Sequence, residues 1–310
     1  MNKRSSVALV AVLLTGCVAE AGVPQGAPET GLLGALAGVR ATAESSVLVE
    51  YGDVAAVRAL SGKDAERFRG LLGYGYSDLA GHSPVLPELV GFDPAEATTA
   101  LRVGQPPTWA AVLRMEVDVA AVEGKLAGLG GRREASGTWV TGEDNGIDPD
   151  GPLAEAGIVT GFQRVRVESG AVRRSVSGEA LKWVTEAPGD KSLADDPMIG
   201  ELARCLGDVS AAVISKPKSG LPVAAGVRTT PDGEATEVVC VPDENPKALM
   251  DLVRTNLEAP PWSEVLGGAS VEQPADQTGV VRVLAPTTSD ARVGRVLAAS
   301  QRGELSTLFG

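Results

Sequence analysis

The chain has 310 residues, of which 28 are Lys or Arg and 40 are Asp or Glu, so its formal net charge is −12. This acidity argues against nucleic-acid binding and against electrostatic attachment to anionic lipid head groups. Aromatic residues make up 4% of the chain, too few for a sugar-stacking lectin or a base-stacking platform. A hydrophobic content of 44% supports a core built from Ala, Val and Leu.

A short apolar segment stands near the start of the chain. Lys3 and Arg4 precede Val7–Leu14, an unbroken apolar run far below the roughly 20 residues that span a bilayer. These proportions are typical of a secretory signal peptide. The run ends in Leu14–Cys17 (LTGC), which resembles the lipobox of bacterial lipoproteins: a large aliphatic residue, two small residues and a cysteine.

The resemblance to bacterial lipoproteins implies a processed and lipid-modified N-terminus. Residues 1–16 would be the signal peptide, and cleavage before Cys17 would make that residue the first of the mature chain. Its thiol would carry a diacylglycerol, which implies anchoring at the extracytoplasmic face of the cell membrane. Residues 17–30, rich in Ala, Gly, Pro and Glu, predict a flexible tether. The alternative is an ordinary secretory peptide with an incidental cysteine.

The two remaining cysteines, Cys205 and Cys240, form an even pair. In an oxidising compartment we predict a disulfide between them, and the alternative is two buried free thiols. No metal site is expected at either cysteine, because no His or further thiol lies near them in the sequence. Apart from the covalent diacylglycerol expected on Cys17, no cofactor is expected.

Two similar segments mark the N-terminal part of the chain. Residues 47–57 (VLVEYGDVAAV) and 112–122 (VLRMEVDVAAV) share a strand-like start, an Asp and an Ala-rich helical start. Asp53 and Asp118 suit helix N-caps, whose side chains accept from free amides of the first helical turn. We interpret the echo as a duplicated strand–helix unit. Coincidence in a chain rich in Ala and Val is the alternative.

The C-terminal part begins with a well-marked helix. Asp196 is its predicted N-cap, Pro197 takes the first turn, and Gly207 ends it. Residues 231–233 (PDG) lie between two β-rich runs and predict a hairpin turn. A last long helix is predicted over residues 289–300.

The order of these elements predicts an α+β fold with mixed or antiparallel sheets and helices packed on one face. Two related subdomains are expected. An N-terminal α+β domain would cover residues 31–188 and a C-terminal α+β domain residues 189–310.

Three short motifs in the body resemble a group of actinobacterial lipoproteins. They are Gly52-Asp53 after a strand, the turn at residues 104–107 (GQPP) and the helix end at residues 205–208 (CLGD). The group carries no activity that could be transferred to this chain. The resemblance therefore supports the predicted location and leaves the function open.

No residue set typical of catalysis stands out in the sequence. His82 is the single histidine, and no nucleophile elbow, phosphate loop, dinucleotide fingerprint or metal-binding His pair is present. Tyr74, Tyr76, His82 and Trp109 are the densest group of polar aromatic residues and form the candidate ligand-binding surface. The alternative is aromatic packing under a long loop.

Residues 142–152 (GEDNGIDPDGP) concentrate acidic side chains in one loop. Oxygen ligands in a flexible loop suit Ca²⁺, but the EF-hand register fails, because its first and last ligand positions would be Gly146 and Gly157. A solvated acidic loop is therefore expected, with no metal.

These observations favour a membrane-anchored extracytoplasmic lipoprotein with a non-catalytic role in binding or envelope interaction. Its partner would be an unidentified protein or a small apolar ligand, and not nucleic acid. Two alternatives remain. A carrier of an apolar or amphiphilic ligand requires an internal cavity, and a carboxylate-dependent hydrolase requires two acids about 5–10 Å apart across a cleft.

Overall fold

Helices and antiparallel strands alternate along residues 30–189 and 191–310, the part of the chain that the computed structural model describes. The predicted signal peptide, Cys17 and the tether up to residue 29 lie outside these residues. The N-terminal strands are β1 (Leu48–Gly52), β2 (Thr99–Gln105), β3 (Thr108–Arg114), β4 (Arg132–Arg133), β5 (Trp139–Val140), β6 (Arg164–Glu168) and β7 (Ala171–Ser175). The helices among them are α1 (Gly31–Ala37), α2 (Val54–Lys63), α3 (Ala65–Phe68), α4 (Leu86–Val90), α5 (Val119–Gly128) and α6 (Gly178–Thr185).

The C-terminal half continues the alternation of helices and strands. Its strands are β8 (Ala211–Ser215), β9 (Val223–Thr229), β10 (Ala235–Pro242), β11 (Ser270–Glu272) and β12 (Val280–Thr287). Its helices are α7 (Pro197–Leu206), α8 (Pro246–Leu257), α9 (Trp262–Val265), α10 (Arg295–Gln301) and α11 (Ser306–Phe309). This mixture confirms the predicted α+β class. Within the described residues, no helix combines the length and the apolar character that crossing a membrane demands.

The strands of the described chain form one antiparallel sheet, in the order β11-β12-β10-β9-β8-β1-β2-β3-β7-β6-β5-β4. From the centre outward, β1-β2-β3-β7-β6 in the first half matches β8-β9-β10-β12-β11 in the second. The halves meet where β1 pairs with β8, with Val49 opposite Ile214. Two halves of like strand order therefore share a single sheet, and the predicted boundary at residues 188–189 falls between α6 and α7.

Helices cover both faces of this sheet, and the prediction that they pack on one face is wrong. In β8, Ala212 and Ile214 contribute to the core that contains α7, and Ala211 and Val213 to the core that contains α10. The reason is visible in the strand itself. Its nearly continuous apolar run has no solvent-facing side, so both of its faces need cover.

The helix caps predicted from the sequence are confirmed. Asp53 accepts a hydrogen bond from the Ala56 amide at 3.0 Å, and Asp118 accepts one from the Ala121 amide at 3.1 Å. The two strand–Asp–helix units occupy different places in the sheet, however, because β1 is central and β3 lies two strands further out. The similarity between residues 47–57 and 112–122 is thus distinct from the repeated strand order of the two halves.

A disulfide joins Cys205 at the end of α7 to Cys240 in β10, as predicted. Both residues are completely buried in the core on the α7 face of the sheet. The bridge therefore fastens a helix to the strand beneath it across a separation of 35 residues.

The last long helix starts later than predicted, at Arg295 rather than residue 289. The buried Glu237 carboxylate accepts hydrogen bonds from the backbone amides of Gly294, Arg295 and Val296, at 2.8 to 3.1 Å. These amides belong to the first turn, so a strand residue from elsewhere in the chain caps α10. Burial raises the pKa of Glu237 above its ordinary value, although the three amides act in the opposite direction.

Candidate functional site

The predicted aromatic group does not assemble into one pocket. Tyr74 and Tyr76 are buried and line a cavity of about 110 Å³, whose lining includes neither His82 nor Trp109. Burial raises the pKa of both tyrosine phenols. Ligand cavities usually measure about 300–1,000 Å³, so this cavity is too small for most organic ligands. His82 lies instead beside Gly157.

Close backbone contact explains why the two tyrosines are so deeply buried. Between them, Gly75 has φ +81°, and a Cβ atom at this position would lie 2.3 Å from the Ala100 carbonyl oxygen. Only glycine allows the segment to cross β2 at this distance. The segment that contains the two tyrosines therefore packs closely against the sheet. Tyr74 and Tyr76 fit the alternative expected from the sequence, aromatic packing under a loop, better than a ligand-binding surface.

Trp109 lies in a row of charged side chains across the same part of the sheet. Arg102 on β2 and Arg174 on β7 each pair with Ala111 on β3, the strand between them. The central guanidinium carbon of each arginine lies 4.8 Å from the centre of the Trp109 ring. This distance is typical of cation–π contacts. Trp109 thus packs against two arginines.

Acidic partners neutralise both arginines. Arg174, which is fully buried, donates from Nη2 to Asp78 Oδ1 at 2.6 Å. Arg102 Nη1 lies 3.7 Å from Glu50 Oε2, and Ser77 bridges the two through hydrogen bonds. Burial raises the pKa of Asp78, but the charge and hydrogen bond of Arg174 more than offset this, and the pKa lies below its ordinary value. The charges satisfy one another, which indicates a structural role.

A larger cavity, of about 320 Å³, lies under the loop formed by residues 141–163. Its apolar lining includes Leu129, Leu153, Ile158 and Phe162. At its edge the large aliphatic side chain of Ile147 is 73% exposed. The volume falls within the range of small-molecule sites.

Hydrogen bonds hold this loop in place. Gln163 donates from Nε2 to the Gly146 carbonyl at 2.6 Å and accepts from the Gly161 amide at 2.7 Å. The Thr141 hydroxyl donates to the Phe162 carbonyl at 2.6 Å, and the Asp148 amide donates to the Val159 carbonyl. The cavity is therefore preformed by its own loop.

The charged side chains that line this cavity are both acidic. They are Glu143 and Asp148, and the described residues provide no ion-pair partner for either of them. Asp144, between them in sequence, pairs instead with Arg164 at 2.7 Å. Across residues 30–189 and 191–310, no three His, Cys, Asp or Glu side chains are grouped to hold a metal ion. The acidic loop is thus the wall of a cavity.

The cavity floor contacts the charged row through Phe162. The Phe162 ring centre lies 5.5 Å from the central guanidinium carbon of Arg174. A Cβ atom at the neighbouring Gly161 would lie 3.0 Å from the Trp109 ring. Trp109, predicted as a ligand contact, therefore lies behind the floor and supports it. Sequence reasoning missed Phe162, although apolar residues spaced through an acidic loop were an available signal.

The cavity belongs to a segment that the second half of the chain lacks. In the first half, residues 129–163 connect α5 to β6. The corresponding connection in the second half, from α8 to β11, needs only residues 258–269. The cavity is thus an elaboration of one half of a repeated strand order.

The chain was compared with protein-family models, curated proteins and solved structures, and none of the three comparisons found a match. The cavity geometry and the predicted signal peptide therefore carry the functional interpretation.

Proposed function

We propose that this protein is an extracytoplasmic lipoprotein, anchored to the cell membrane through Cys17, with a non-catalytic binding or envelope-interaction role. The observation that carries this proposal is the LTGC sequence of Leu14–Cys17, directly after a short apolar run. A diacylglycerol with two acyl chains holds a protein at a membrane firmly, because each buried methylene contributes about 0.8 kcal/mol.

The disulfide supports export to an oxidising compartment. Cys205 and Cys240 are joined in the core, and such bonds persist mainly in proteins outside the cytosol. Their pairing also leaves neither of them as a candidate for lipid attachment. Cys17 is the remaining cysteine of the three in the sequence.

A second candidate function is that of a carrier for a small apolar or amphiphilic ligand. The cavity under residues 141–163 favours it, because its volume of about 320 Å³ and its lining by Leu129, Leu153, Ile158 and Phe162 suit an apolar guest. Binding of this kind is compatible with lipid anchoring, so the two proposals describe different parts of one chain.

The alternative of a carboxylate-dependent hydrolase receives no support from Glu237 or Asp78. Among the described residues, Glu237 is the one Asp or Glu whose side chain is buried, and it caps α10. Asp78 is paired with Arg174. Acids with such partners are held as structural groups and are poorly placed to exchange protons with a substrate.

Metabolic labelling tests the anchor. The full chain, a Cys17→Ala variant and a Cys205→Ala/Cys240→Ala control are expressed in a lipoprotein-processing bacterium fed an alkyne fatty acid. We expect the wild type and the control to carry the label and to enter the detergent phase, whereas Cys17→Ala carries none. Label that persists on Cys17→Ala contradicts the proposal.

A further inference from the structure

We propose that the cavity under residues 141–163 binds a small cationic amphiphile, that is, an apolar body that carries an amine or quaternary ammonium group. This inference rests on the proposed binding role and names the ligand class. It follows from the size, the lining and the charge of the cavity.

The interior of the cavity suits an apolar body. Leu153, Ile158 and Phe162 are buried in the protein and still line the open space, so each presents apolar surface to whatever fills it. Displacing water from such a surface is favourable by about 25 cal/mol per Å². A volume of about 320 Å³ limits the guest to a small molecule.

The edge of the cavity suits a cation. Glu143 and Asp148 line it, no Lys, Arg or His does, and both carboxylates lack ion-pair partners among the described residues. The two arginines that flank the loop in sequence are already engaged, Arg133 by Glu123 and Arg164 by Asp144 and the Gly142 carbonyl. A cationic group would therefore be attracted, and an anionic head group would be repelled by both carboxylates.

Ile147 combines the two requirements at one place. It is 73% exposed and stands directly before Asp148, so an aliphatic surface and a carboxylate lie side by side at the cavity edge. An amphiphile would cover the exposed Ile147 side chain with its apolar body while its charge lies near Asp148. Covering this side chain removes apolar surface from water, which favours binding.

Matched probes test the inference. The full-length protein in phosphatidylcholine nanodiscs is titrated calorimetrically with hexyltrimethylammonium and with hexyl sulfate, and empty nanodiscs provide the reference. The two probes share an apolar chain and differ in charge. We expect the cation to bind about tenfold more tightly than the anion, which corresponds to about 1.4 kcal/mol shared between two exposed carboxylates.

Two variants separate the contributions of charge and cavity. Glu143→Gln/Asp148→Asn alters only exposed side chains and should reduce the preference for the cation to about twofold or less. Ile158→Trp fills the cavity and should weaken binding of the cation at least tenfold, with circular dichroism as the check on folding. If Ile158→Trp does not fold, the Glu143→Gln/Asp148→Asn variant still tests the proposed role of the charges.

Equal binding of the two probes, tighter binding of hexyl sulfate, or no binding of either overturns the inference. Fatty-acid labelling at Cys17 separates this failure from that of the anchor. Labelled protein that binds neither probe retains the proposed anchor and loses the ligand. Unlabelled protein that binds the cation retains the ligand and loses the anchor.

Discussion

Arg174 is fully buried, and its charge is compensated by Asp78, which lies 2.6 Å away and is about a quarter exposed. The two residues lie 96 positions apart in the sequence. Their ion pair fastens the segment that contains Tyr74 and Tyr76 to the sheet strand β7. It therefore joins the two places where aromatic residues cluster.

Removal of the Asp78 charge should destabilise the protein strongly. Asp78→Asn leaves the Arg174 guanidinium buried without a counter-charge, which costs about 3 kcal/mol of unfolding free energy. Denaturant unfolding followed by circular dichroism measures this loss. The control is Asp276→Asn, an exposed acid, which should stay within about 0.5 kcal/mol of the wild type. A loss for Asp78→Asn no larger than that of the control would show that Arg174 needs no partner.

The same ion pair predicts a pH dependence. Because the pKa of Asp78 is lower in the folded than in the unfolded chain, its stabilising effect is complete above about pH 4. The effect is lost as the pH falls through the folded-state pKa. The difference in unfolding free energy between wild type and Asp78→Asn should thus shrink as the pH falls below about 4. A difference that stays constant over this range contradicts the assignment.

The Glu237 cap on α10 should depend on both carboxylate oxygens. Oε1 accepts from the amides of Gly294 and Arg295, and Oε2 accepts from that of Val296. In Glu237→Gln, the side-chain NH2 group replaces one carboxylate oxygen and faces at least one backbone N–H group that then has no acceptor. This change should lower the free energy of unfolding by about 1–3 kcal/mol. Thermal and denaturant unfolding measure the loss. Glu234→Gln, at an exposed position nearby, is the matched control and should be nearly neutral.

The disulfide should contribute substantially to stability. A cross-link across 35 residues stabilises by about 3–4 kcal/mol in the chain-entropy model. Cys205→Ala/Cys240→Ala should lower the unfolding free energy by that amount. Wild type unfolded in dithiothreitol provides the comparison, since it loses the cross-link and keeps the side chains. Loss below about 1 kcal/mol in both measurements would show that the bond adds little.

Elements with local signals could be predicted from the sequence. The helix that Asp196 caps begins at Pro197 and ends at Leu206, before Gly207, as predicted. The turn at residues 231–233 joins β9 to β10, also as predicted. In both cases the residues that fix the backbone lie within the element or next to it, so a short stretch of sequence contains the whole cause.

Features fixed by distant residues could not be predicted. The start of α10 depends on Glu237, which lies 57 positions before Gly294. The contacts of Trp109 with Arg102 and Arg174 depend on β3 lying between β2 and β7, an order that only the completed sheet defines. Helices on both faces and the cavity under the acidic loop follow from the same sheet.

The mass of the mature protein tests the central claim most directly. Protein purified from membranes of its native host is measured intact, and its N-terminal peptide is then fragmented. We predict a chain that begins at Cys17 and carries the added mass of a diacylglycerol. A chain that begins at Met1 with an unmodified Cys17 would contradict the claim.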